Sequence, residues 1–98
     1  MKALITKAIT ERTVANVGYG GSSRTVEPHT YGVNNAGHEV LSCFQTSDSK
    51  GGVATGWRTM LLSEITTFKL TEEVFPKNRP GYVRDGKSFQ RIFAQLQA

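Results

Sequence analysis

Arg24-Thr25-Val26-Glu27-Pro28-His29-Thr30-Tyr31-Gly32-Val33 is an extended run that ends in the hairpin signal Asn34-Asn35-Ala36-Gly37. Thr, Val and Tyr suit a pleated, half-buried surface, and Asn and Gly tolerate the positive φ of a tight hairpin. Pro28 cannot donate a ladder hydrogen bond, so the strand must lie at an edge, bend or bulge at that point. The same reading extends to either side. Upstream, Thr13, Ala15, Val17 and Tyr19 alternate with Val14, Asn16 and Gly18, as in a first strand, and Gly20-Gly21-Ser22-Ser23 makes the turn. Downstream, Glu39–Thr46 carries Leu41 and Cys43 on one parity and Val40 and Phe44 on the other, a strand covered on both faces. A Gly- and Ser-rich loop over 47–56 leads to two further strands, Trp57–Leu62 and Ile65–Leu70, separated by Ser63-Glu64.

Both flanks differ from this β region. Residues 2–11 read as a short helix, with Leu4, Ile5, Ala8 and Ile9 on one face, which must dock to be stable. Pro76, Asn78, Pro80 and Gly81 enforce an irregular crossing segment. Phe89, Ile92, Phe93 and Leu96 fall at i, i+3, i+4 and i+7, which predicts a final helix capped by Asp85. The expected fold is mainly β with flanking helices. About five short antiparallel strands close, or nearly close, into a small barrel, because closure removes exposed edges.

Ninety-eight residues make one domain, 1–98. A chain of this size buries roughly two-thirds of its unfolded surface, enough for a core without staples. The lone Cys43 excludes an internal disulfide and a multi-cysteine zinc site, and fits a reducing, cytoplasmic setting. No signal peptide or membrane-spanning run is visible. The net charge of +4, with twelve basic and eight acidic side chains interleaved, mildly favours anionic partners.

Converging catalytic groups are scarce. His29 and His38 are the only histidines, and their spacing matches no metal motif. Cys43 lies mid-strand among apolar neighbours, where cysteine serves as a small hydrophobe. Gly18-Tyr19-Gly20-Gly21 precedes a strand rather than a helix, so the dinucleotide fingerprint fails in context. A non-enzyme that needs no metal and no cofactor is expected. Binding chemistry is better represented. Arg24, His29 and Tyr31 share one strand region, His29 and Tyr31 at the same parity, and Arg58 follows Trp57 on a later one. Arginine grips phosphate through paired hydrogen bonds, and Tyr, His or Trp can stack a base. Gln45 can read a base edge, and Arg79 and Tyr82 can close over a pocket from the irregular tail. The competing structural use of these residues is ion pairing of Arg24 with Glu27 or Glu39, and core packing of Tyr31 and Trp57.

Arg24-Thr25-Val26-Glu27-Pro28-His29-Thr30-Tyr31-Gly32, Gly37-His38-Glu39-Val40-Leu41-Ser42 and Gly56-Trp57-Arg58-Thr59-Met60-Leu61-Leu62-Ser63-Glu64-Ile65 resemble the WYL-domain family, over roughly residues 11–71. The Arg-x-x-x-Pro element and the later Arg before Ser-Glu-Ile carry most of that likeness. Pro80-Gly81-Tyr82 and Phe89–Leu96 are similar to small free-standing bacterial members. The chain departs at the namesake triplet, with Glu39-Val40-Leu41 where Trp-Tyr-Leu is expected. The resemblance implies an Sm-like barrel that senses a ligand, of a kind linked to transcription regulation and phage defence, with Arg24, His29, Tyr31 and Arg58 on the ligand face. The function expected is sensing or sequestering an anionic, nucleotide-derived small molecule. The alternatives are a single-stranded nucleic-acid binder and an assembly protein acting as a homo-oligomer.

Overall fold

The structure is a computed structural model that describes residues 1–51 and 55–97. Helix α1 (Lys2–Thr10) is followed by strands β1 (Thr13–Tyr19), β2 (Ser22–Asn34), β3 (Glu39–Asp48) and β4 (Gly56–Leu61). A 3-10 turn at Leu62–Glu64 leads into β5 (Ile65–Val74), and β6 (Phe89–Gln95) ends the chain's regular structure. The centre of the loop expected over 47–56 lies outside the described residues.

All pairings are antiparallel, in the order β4-β3-β2-β1-β5, with β6 also on β2. Strand β2 organises the sheet. Along one side it pairs with β3 from Arg24 to Val33. Along the other it pairs with β1 as far as Val26, then with β6 from Thr30. Pro28 falls in the gap between those two neighbours, where its missing N–H costs nothing. The expected irregularity there is a bulge: Pro28 faces Cys43 and Thr30 faces Ser42, leaving His29 as the extra residue.

Cross-strand register defines two faces. Val26, Gln45 and Gly56 form one row of the inner face, and Tyr31, Leu41 and Met60 another. Helix α1 adds Ile5, Ala8 and Ile9 to the core built there on Val17, Val26, Leu41, Cys43 and Met60, while Leu4, expected on the same stripe, is 41% exposed. The outer face carries Glu27, Phe44 and Trp57 in one row and Thr30, Ser42 and Thr59 in the next. On β3, Val40, Leu41, Cys43 and Gln45 are buried while Ser42 and Phe44 are half-buried, so cover on the outer face is partial.

Two expectations are corrected. The ladder is an open sheet of six strands rather than a closed barrel, with β4 and β5 at its two ends. The 3-10 turn carries the chain from one end to the other without pairing them. In place of a closing ladder, the Leu61 N–H donates to the Tyr19 hydroxyl at 3.2 Å. The final helix is also absent, and residues 89–95 form β6. Asp85 caps nothing: its N–H and carboxylate form a reciprocal pair with the Gln95 amide, at 2.8 and 2.7 Å.

Candidate functional site

The sequence-predicted residues separate into two groups on opposite faces. Arg24, Gln45 and Arg58 stand on the inner face towards the Gly20-Gly21 turn and the β3–β4 connection. Arg24 is tightly held: Nε donates to Tyr19 O at 3.1 Å and to Ser22 Oγ at 3.2 Å, and one terminal nitrogen donates to Gln45 Oε1 at 3.2 Å. Its guanidinium lies 5.5 Å from the Tyr19 ring centroid, and Asp48 is 3.9 Å from Nε. Arg58 leans towards the same place. Its Nη1 donates to Trp57 O at 2.9 Å and sits 3.1 Å from where a Cβ would stand on Gly56, the cross-strand partner of Gln45. Two cationic planes thus flank one glutamine–glycine row.

Glycine makes the surrounding rim. Gly20 and Gly21 both have positive φ, 60° and 76°. A Cβ on Gly20 would meet the Arg24 Nη2 at 3.0 Å, and one on Gly21 would meet Lys50 Nζ at 3.4 Å. Lys50, which sequence reasoning did not single out, therefore borders the same turn. Its backbone N–H donates to Asp48 Oδ1 at 3.0 Å, which with nearby Ser22, Arg24 and Lys50 holds the Asp48 carboxyl below its ordinary range. Cys43 lies beneath, fully buried, and desolvation pushes its thiol up to about 12 against the pull of Arg58 and Arg24.

The second group stands on the outer face and is built into the fold. His29 and Tyr31 do not share a face, because the bulge at His29 breaks the alternation. His29 is fully buried, stacked on Phe75 at 5.5 Å and edge-on to Trp57 at 4.8 Å. Its Nε2 accepts the Arg79 backbone N–H at 3.1 Å, so Nδ1 carries the proton and donates to Glu27 O at 2.7 Å. Burial holds its pKa below the ordinary value. Arg79 makes a two-pronged pair with Glu27, at 2.7 and 2.9 Å, and lies 4.6 Å over the Phe44 ring. Trp57 Nε1 donates to Pro80 O at 2.9 Å, and the Tyr82 hydroxyl donates to Leu96 O at 2.7 Å. These four residues clamp the crossing segment 75–82 onto the sheet. Tyr31 belongs to the inner core, where its hydroxyl donates to Glu39 Oε1 at 2.7 Å. Burial and that bond raise its pKa to about 12.

Among the described residues, no group of three or more His, Cys, Asp and Glu side chains could hold a metal ion. No helix among them is long and apolar enough to cross a membrane. Comparison with protein-family models, curated proteins and solved structures found no match for this chain.

Proposed function

We propose that the protein is a non-enzymatic module that binds an anionic, nucleotide-derived small molecule at the inner-face end of the sheet. The observation that carries this reading is the approach of Arg24 and Arg58 to the Gln45–Gly56 row from opposite sides. Phosphate oxygens accept from paired guanidinium donors, and two of them around a neutral amide suit a phosphate ester. The resemblance to WYL domains supports the same ligand chemistry for Arg24 and Arg58, while the His29 and Tyr31 it also implies lie elsewhere, His29 buried on the outer face and Tyr31 in the core. The histidine and cysteine chemistry supports a binding role, since both His29 nitrogens hold backbone groups and the Cys43 thiol stays protonated at neutral pH.

The test is thermal denaturation with inorganic phosphate, mono- and dinucleotides and cyclic oligonucleotides. A ligand at a hundredfold its Kd adds about 2.7 kcal/mol, a rise of several degrees in Tm for a chain this size. Arg24→Gln and Arg58→Gln should each abolish the rise. A Tm that no compound moves, or that moves equally in the double variant, rejects the reading.

Lys50 beside Gly21 adds a third cation near Arg24, with the Asp48 carboxylate between them, and favours single-stranded nucleic acid as the second reading. For that ligand the logarithm of the binding constant would fall linearly with log salt, with a slope of roughly −0.7 per phosphate neutralised. The free ends of the sheet at β4 and β5 support a homo-oligomer, which light scattering at high protein concentration would detect.

A further inference from the structure

Thr30, Ser42 and Thr59 are cross-strand partners in one row over β2, β3 and β4, so three side-chain hydroxyls stand in register on the outer face. They line two adjoining cavities of about 360 and 220 Å³ that have Ser42, Ser88 and Phe89 in common and together make up a groove along the row, Thr59 in the larger and Thr30 in the smaller. Phe89 and Trp57 supply aromatic wall. In a chain with 20% charged residues, none of the side chains lining either cavity is charged. Exposure rises along the row, from buried Thr30 through half-buried Ser42 to exposed Thr59, so the groove opens at the β4 edge.

We infer that this groove is a second binding site, for a neutral, hydroxylated ring: a sugar, either free or as the ribose of a nucleoside. Hydroxyl groups that both donate and accept match the rim of such a ring, and aromatic surface matches its C–H face. A lining without charge selects against the free anions that the guanidinium pair attracts. The site lies on the opposite face of the sheet from Arg24, Gln45 and Arg58 and is independent of the function proposed above.

The experiment is an amide-resolved NMR titration of the whole chain with uncharged probes: adenosine and uridine in one arm, glucose and maltotriose in the other. Binding shifts the amides of Ser42, Thr59, Ser88 and Phe89 and the Trp57 indole, while Gly20, Gly21 and Arg24 stay in place. A response to nucleosides alone assigns the ribose source, and one to saccharides alone assigns the free sugar. Thr59→Val, at an exposed position, should keep the fold and weaken binding at least tenfold, and Thr59→Ser should restore it. The inference is overturned if neither arm perturbs the groove at tens of millimolar, or if Thr59→Val binds as tightly as the parent.

Discussion

The backbone N–H of Arg79 donates to Nε2 of His29 across 3.1 Å, and this bond fixes the tautomer of a buried imidazole fifty positions earlier in the chain. With Glu27 O accepting from Nδ1–H and the Arg79 N–H occupying the Nε2 lone pair, Nε2 has no room for the proton that would make an imidazolium.

That arrangement sets a pH dependence. Burial is the main cause of the lowered His29 pKa, opposed by Glu27 and reinforced by Arg12 and Arg79. The unfolded chain therefore binds a proton near pH 6.5, which the folded one refuses until lower pH. Stability from His29 is complete above about pH 6.5 and is lost as pH falls towards the folded value. Urea denaturation from pH 7.5 to 5 should show a falling midpoint. His29→Gln should start less stable and be flat over that window. An equally steep fall in that variant would exclude His29 as the cause. Glu39 and Asp48, also held below their ordinary values, act lower, below about pH 4.5.

Glu27 and Arg79 form a pair of unequal exposure, with side chains 8% and 40% accessible. Glu27→Gln leaves a less charged acceptor under Arg79 and should cost about 1–2 kcal/mol, the exposed arginine keeping the loss moderate. A double-mutant cycle with Arg79→Ala should give coupling of roughly 1 kcal/mol, and hydrogen exchange in residues 76–82 should quicken in both single variants. Zero coupling would mean that the pair does not hold the segment.

Gly32 is where β6 comes closest to β2. A Cβ there would overlap the Arg91 carbonyl oxygen and stand 3.0 Å from Ile92 Cα, both backbone atoms that cannot swing aside. Gly32→Ala should push β6 off the sheet and cost about 3 kcal/mol, the upper part of the overpacking range. Amide exchange should rise in Phe89–Gln95 and stay low in β3.

Cys43 is fully buried and its thiol is pushed up to about 12. Iodoacetamide at pH 8 should label it only at the global unfolding rate. Cys43→Val, which adds a carbon to a fully buried site, should cost about 1–3 kcal/mol. Fast labelling of the native chain would show an opening that the sheet does not provide.

Local chemistry made much of this fold legible. The α1 stripe, the Gly20-Gly21 and Asn34–Gly37 turns, and the bulge near Pro28 all depend on neighbouring residues. The final element was misread for a physical reason. Against β2, the chain skips one residue between Phe89 and Arg91 and another between Ile92 and Ala94. Each bulge lengthens the two-residue alternation of a strand to three, so Phe89 and Ile92 fall on the same, outer face at helical spacing. Only the distant partner strand reveals this. The bulge at His29 likewise moves that side chain to the face opposite Tyr31. The placement of Arg24 and Arg58 about one row follows only from the β2–β3–β4 register, and the tail clamp likewise needed three-dimensional placement of Arg79, Pro80 and Tyr82.

The division of β2 between two successive neighbours sets an order of assembly. Its first half can be covered by β1 as soon as both have been synthesised. Its second half keeps a bare row of peptide groups until residues 89–95 emerge, some sixty positions later. A nascent chain stalled before that point exposes an adhesive edge, so the last strand acts as a late seal against self-association.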